Sequence, residues 1–210
     1  MVTANVQTQI GDFIAASGLG ILRQSNFGAL VVTELHGRFF ELNYRNHLFT
    51  AVMPAIAALS LNTATAYTGL IIVNAVGSGV IASFARSKIA AATVAAADAQ
   101  IALAYNTTIP TAFGTAITIN RNKISTAAAG SLLTAFQSAT LVAAPTLMYP
   151  LVGHNFSTAA GFIDHLSDLD MAGDIILYPG CTLEIVAVTT AISVLASLTW
   201  AEYLSSVFPL

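Results

Sequence analysis

A chain of 210 residues is long enough for one well-filled domain with a peripheral arm and short for two independent cores. Only 8% of it is charged and 56% is hydrophobic, against about a quarter charged in an ordinary globular protein; this is too little charge for a free monomer and fits a subunit covered by neighbours. Net charge is −3, and the seven basic residues (Arg23, Arg38, Arg45, Arg86, Lys88, Arg121, Lys123) are scattered, which excludes a basic stripe for a nucleic-acid backbone.

Residues 1–28 mix Thr, Asn, Gln and Gly with small apolar groups and hold no sustained period, so they read as an extended or partly helical arm that gains order on a neighbour. Phe13, Ile14, Ile21 and Leu22 are its candidate apolar anchors. Residues 29–210 form the body. Leu30–Leu35 and Phe39–Tyr44 predict two short strands around His36-Gly37. The stretch His47–Leu61 fits a strand running into a loop or a short helix, since Pro54 allows a helix only near its first turn. Ala66–Asn74 predicts a strand, Gly77-Ser78-Gly79 a hairpin turn and Val80–Val94 the returning strand. Ala90–Ala104 is Ala-rich, but Thr93 and Val94 oppose a helix there. Gly114–Asn120 alternates with period two. Ser125–Thr140, with Leu132, Leu133 and Phe136 along one face, predicts a short helical insertion, and Pro145 and Pro150 predict irregular chain.

The C-terminal third is the most regular. Asp174–Leu177, the turn Tyr178-Pro179-Gly180, a strand over Thr182–Val188, a connection at 189–191 and a strand over Ile192–Trp200 follow in order. Leu183, Ile185 and Ala187 share one face; so do Ile192, Val194, Ala196, Leu198 and Trp200, opposite Ser193, Ser197 and Thr199. Many short strands between Gly and Pro turns, with long intervening loops, predict a mainly β, jelly-roll-like antiparallel β-sandwich.

A membrane span is not expected. The run from Asn46 to Ala85 carries no formal charge but is broken by Pro54, Asn62, Gly69, Asn74 and Gly77, and Ile185–Ala201 alternates and holds five Ser and Thr. The first residues lack a basic leader before an apolar core, which predicts synthesis in a cytoplasm. Cys181 is the only cysteine, so no internal disulfide forms.

Chemistry-bearing patterns are sparse. Asp164, His165, Asp168, Asp170 and Asp174 form the densest polar cluster, but lack the Gly at the sixth and the Glu at the twelfth position of a calcium loop; they read as a solvated loop or a subunit-edge patch. His36, His47, His154 and His165 occur singly, without the paired spacing of a zinc hydrolase. Gly77-Ser78-Gly79 departs from the Gly-x-Ser-x-Gly nucleophile elbow. Asn106-Thr107-Thr108 and Asn155-Phe156-Ser157 match glycosylation triplets that arise often by chance. Trp200, at the end of an alternating apolar face, reads as core or interface. No catalytic, cofactor or metal residue is expected, and the chain reads as a non-enzyme.

Three segments carry a family likeness: HGRFFELNYRNHLFTAV from His36, ATAYTGLIIVNAVGSG from Ala64, and GDIILYPGCTLEIVAVTTAISVLASLTWAEY from Gly173. Their Gly-Arg-aromatic start, Thr-Gly-Leu strand, Asn-x-x-Gly-Ser-Gly turn, Leu-x-Pro-Gly turn and Trp-x-Glu close resemble tailed-bacteriophage virion proteins of jelly-roll type. The resemblance implies a capsid cement or decoration protein on the capsid exterior, made in the host cytoplasm, working as a homotrimer against the major capsid protein, with no nucleic acid and no membrane. The alternative is a tail- or fibre-associated receptor-binding module presenting loops such as Gly153–Gly173.

Overall fold

Strands form where branched and aromatic residues recur between turns: β1 (Leu48–Val52), β2 (Ala57–Ala58), β3 (Ala66–Val73), β4 (Val80–Ala91), β5 (Ala99–Asn106), β6 (Ala112–Phe113), β7 (Ala116–Ile117), β8 (Ile119–Arg121), β9 (Thr134–Thr140), β10 (Thr146–His154), β11 (Leu166–Leu177), β12 (Thr182–Ala187) and β13 (Ser193–Leu204). The computed structural model describes residues 39–91, 99–123, 130–154 and 166–207. Two units divide the chain, Met1–Phe40 and Glu41–Leu210, and the second carries all of these strands. The anchors Phe13, Ile14, Ile21 and Leu22 and the expected strand at 30–35 lie outside the described residues.

The strands make two antiparallel sheets, β11-β4-β13-β1-β8 with β2 beside β13, and β10-β5-β12-β3-β9-β6 with β7 beside β9. Set aside β2 and the strands between β5 and β10, and the order β1-β13-β4-β11 faces β3-β12-β5-β10. The chain changes sheet at every step except the pairing of β5 with β10. That is the connectivity of a jelly roll. The segment 107–145, between β5 and β10, then adds β8 beside β1 and β9 beside β3, so one insertion extends both sheets along the same side.

Alternation decides which side chains enter the sandwich. Ile192, Val194, Ala196, Leu198 and Trp200 are all buried, and from β12 so are Leu183, Ile185 and Ala187. Trp200 lies between Phe49 and Phe84, its ring centroid 6.4 and 5.9 Å from theirs. A second apolar cluster lies on the opposite, outer face of the second sheet, where Ile71, Val73, Ala102, Ala104 and Val186 are covered by Ile109 and Leu141 of the insertion. Hence β12 is buried on both faces.

Four expectations need correction. Residues 40–44 form a helix, α1 (Phe40–Tyr44), closed by Asn46 at φ 62° with the His47 N–H donating to Leu42 O. Both flanks of β1 are occupied by β13 and β8, which leaves residues 39–44 no ladder there. Thr134–Thr140 is strand β9 and not helix: the free flank of β3 offers backbone partners from Ala66 to Val73, and these outweigh the helical spacing of Leu132, Leu133 and Phe136; residues 124–129 lie outside the described set. Pro150 sits within β10 because that strand is an edge, where a missing N–H costs no ladder bond, and the register shifts on either side of it. Gly77-Ser78-Gly79 is a turn with two positive-φ glycines, but it joins strands of different sheets and is no hairpin.

Two sheet-to-sheet connections meet at Asn74. Its side-chain amide donates to Val80 O (2.9 Å) and Leu177 O (3.0 Å), its N–H donates to Cys181 O, and its Oδ1 accepts from the Ser78 hydroxyl. Asn74 is fully buried, so Asn74→Ala takes the amide donor away from two carbonyls and leaves the Ser78 hydroxyl as a long contact to Val80 O. It is expected to cost about 2 kcal/mol in chemical denaturation.

Gly69 explains a kink in β3. Its φ is +131°, and a Cβ there would come within 2.7 Å of both Leu59 Cδ2 and the Tyr67 hydroxyl. That hydroxyl has its one proton within reach of the carbonyls of Leu70 (2.7 Å) and Ile185 (2.8 Å) and accepts from the Ile185 N–H, and so ties the bulge to β12.

Candidate functional site

The outer face of the first sheet is built from β4, β13 and β1. Branched and hydroxyl side chains dominate it: the Thr50 hydroxyl donates to Asn122 Oδ1 (2.6 Å) and lies 2.9 Å from that of Thr199. Charge is confined to a corner, where Arg86 Nε and Lys88 Nζ each approach Asp168 at 3.4 Å. Pairs this exposed stabilise little, and two cations on one carboxylate leave the cluster with a positive charge. Val52 and Leu195 stand exposed beside them.

A second feature is the end of the sandwich where β3 turns into β4 and β11 into β12. Val76 (80% exposed), Leu204 (60%) and Leu132 (57%) all project there. They are brought to one end by the Leu204–Val80 pairing, by the Ser205 N–H donating to Gly79 O, and by the Leu132 N–H donating to Glu202 Oε2. Single exposed apolar residues are ordinary; several held on rigid connections at one end are a contact surface in the making.

The edges are poor templates for adding strands. On β10 the exposed Leu147, Met148 and Tyr149 are interrupted by Pro150 and two register shifts, and β11 bulges at Ala172 and Gly173, both at positive φ. Association by backbone pairing is therefore blocked at the β10/β11 side, and faces and ends remain for contact.

The residues singled out in the sequence are dispersed. Asp168 pairs with Arg86 and Lys88, and Asp170 Oδ1 accepts from the Ala172 N–H, which shapes the β11 bulge. Asp164, His165 and His36 lie outside the described residues, as does Asn155. Among the described residues no three of His, Cys, Asp and Glu gather as a metal site. His47 stacks on Tyr203, and its Nδ1 lies 2.9 Å from Glu202 O. Ser78 spends its hydroxyl on Asn74. Asn106 is buried with its amide donating to Ala143 O, which removes it as a glycosylation acceptor in the folded chain. Burial pushes the Cys181 thiol up, away from a reactive thiolate. Trp200 is core.

Comparison of the chain with protein-family models, with curated proteins and with solved structures finds no match. Among the described residues no helix is long and apolar enough to cross a membrane.

Two buried carboxylates organise the polar interior, Glu202 of the Trp-x-Glu close and Glu184. Glu202 accepts from the Trp200 indole N–H and the Ser131 hydroxyl on Oε1 and from the Leu132 N–H on Oε2, pinning residues 131–132 of the insertion to β13. Glu184 lies at the centre of the outer face of the second sheet, in register with Ile71 and Ala104. The Thr182 hydroxyl donates to its Oε1, whereas Oε2 has no partner at hydrogen-bond geometry. Burial raises its pKa from the ordinary 4.5 to about 7, against the opposing pull of hydrogen bonding from Thr182 and Asn106. The one available signal was a lone carboxylate in a run, TLEIVAV, that is apolar on both parities.

Proposed function

We propose that this chain is a structural subunit of a bacteriophage virion: a capsid cement or decoration protein on the capsid exterior that bridges major capsid subunits as a homotrimer. The observation that carries the reading is a jelly roll whose exposed faces and ends are apolar or hydroxyl-bearing and nearly uncharged, while the β10/β11 edge is closed to strand addition. Such a body associates through faces. The sequence resemblance supplies the virion setting. A subunit that binds only the assembled shell stabilises it by mass action, and a contact of about 2,000 Å² or more holds firmly.

The test is binding of the purified chain to capsids that lack it, followed by electron microscopy of the decorated particles. Density over junctions between capsid subunits is expected, with a trimer in solution by light scattering. A chain that is monomeric and ignores capsids would sink the reading. Because the faces carry so little charge, capsid affinity is expected to change by no more than about threefold between 50 mM and 500 mM salt, unlike a contact steered by charge. Deleting residues 1–28 is expected to lower capsid occupancy; undiminished occupancy would remove the arm, with Phe13, Ile14, Ile21 and Leu22, from the contact.

A further inference from the structure

Glu184 has no structural task that explains a carboxylate. Glu202 uses both oxygens to tie three donors, but Glu184, in a fully buried site, takes a hydroxyl of its own strand on one oxygen and has besides it only the weaker pull of the Asn106 amide. Burying an ionised carboxylate under such conditions is strongly unfavourable, whereas a neutral acid is tolerated.

What excludes water from it is thin. Above Glu184 lie two stretches of the insertion outside its strands, 107–111 and 141–145. Ile109, Pro110, Leu141 and Pro145 are their inward-facing residues. Few bonds hold the two stretches down: the Asn106 amide donates to Ala143 O at 3.4 Å, the Leu141 N–H donates to Thr65 O, and the Thr111 N–H and hydroxyl donate to Thr140 O at the end of β9. From the sheet side, β3 contributes Tyr67 and Ile71, β5 contributes Ala102, Ala104 and Asn106, and β12 contributes Thr182 and Val186. Tyr67 is the titratable neighbour among them; the charge of Glu184 and its own burial both push its hydroxyl well above the ordinary value, so it stays neutral. The insertion's two cations, Arg121 and Lys123, face the first sheet, Arg121 over the Phe49 ring and Lys123 donating to Tyr44 O. No counter-charge reaches Glu184 from the described residues of the cover.

We propose that Glu184 is a protonation latch: while its carboxyl is neutral, segments 107–111 and 141–145 stay seated on the outer face of the second sheet, and its ionisation loosens them and uncovers the apolar strip around Ile71 and Val186. The direction follows from solvation alone. A charge created in this site gains most by admitting water, and residues 107–111 and 141–145 of the cover lie outside the strands, whereas β3, β5 and β12 beside them are paired. The raised pKa of Glu184 puts the transition near neutral pH, within reach of ordinary conditions. The latch is a property of the sandwich and stands whether or not the chain belongs to a virion.

Amide hydrogen exchange on the full-length chain, read by mass spectrometry at pH 5.5 and pH 8.5 and corrected for intrinsic exchange, tests it. In the wild type, peptides spanning 107–111 and 141–145 are expected to lose at least about tenfold in protection at the higher pH while peptides from β13 keep theirs. In Glu184→Gln the same peptides are expected to hold their protection at both values, and Glu184→Leu serves the same purpose should the amide variant fail to fold. Equal loss in wild type and variants, loss spread over β13 as well, or no loss in the wild type would each overturn the proposal.

Discussion

Trp200→Ala is expected to destabilise the protein by about 4 kcal/mol, the upper range for removing a large buried aromatic. The indole is fully buried between Phe49 and Phe84, in the strand that pairs with β1, β2 and β4. Its loss opens a cavity at the centre of the first sheet's inner face. It also removes the N–H that donates to Glu202 Oε1 at 2.9 Å, and so weakens the carboxylate that anchors the Ser131–Leu132 segment. Trp200→Phe keeps most of the packing but loses that donor, and should cost less, about 2 kcal/mol. Urea denaturation followed by circular dichroism gives both numbers, since Trp200 is the only tryptophan and fluorescence disappears with it. Leu204→Ala, at a site 60% exposed, is the control and should stay within about 0.5 kcal/mol of the wild type. A small loss at Trp200 comparable to that at Leu204 would contradict the packing described.

Which parts of this architecture could be read in advance follows from how many neighbours each element needs. β13 announces itself because its apolar residues alternate, and β12 because a branched, apolar run follows the turn at Pro179 and Gly180; local chemistry and final pairing agree there. The strand β3 and the turn at Gly77 and Gly79 are legible for the same reason. The misread elements are those whose state is settled by a distant partner. Residues 134–140 carry spacing that suits a helix as well as a strand, and only the vacant flank of β3 decides between them. Phe39–Tyr44 has strand composition but no free ladder beside β1, so a single capped helical turn is what remains. Pro150 looks like a breaker until its strand proves to be an edge. The expectation that faces are covered by neighbours rested on the scarcity of charge, which carries no information on which faces those would be. Glu184 was hidden because period-two reasoning assigns one face of β12 to the core and the other to solvent, and a folded-over insertion covers the second face too.

That hidden carboxylate yields the clearest pH dependence. Glu184 binds its proton more tightly in the folded chain, with a pKa of about 7, than in the unfolded chain, where it titrates near 4.5. Between these values the native state holds more protons than the unfolded one, so stability falls as pH rises. Its contribution is fully present below about pH 4.5, declines through the interval and is gone above about pH 7. At about 1.4 kcal/mol for each pH unit, the interval amounts to an order-of-magnitude loss of about 3 kcal/mol. The opposite sign would hold for a carboxylate stabilised by a salt bridge, whose contribution disappears on acidification. Glu184→Gln keeps the acceptor for the Thr182 hydroxyl and cannot ionise, so its stability should be nearly flat over the same range apart from changes shared with the wild type. The variant should fall within about 1 kcal/mol of the wild type at pH 5 and exceed it by about 2 kcal/mol at pH 8, a rare case of a buried-site substitution that stabilises. Denaturation midpoints measured for both proteins from pH 4.5 to 8.5 decide the matter. Parallel profiles would mean that Glu184 ionises as freely in the folded chain as in the unfolded one, and would place water where the cover of Ile109 and Leu141 is described.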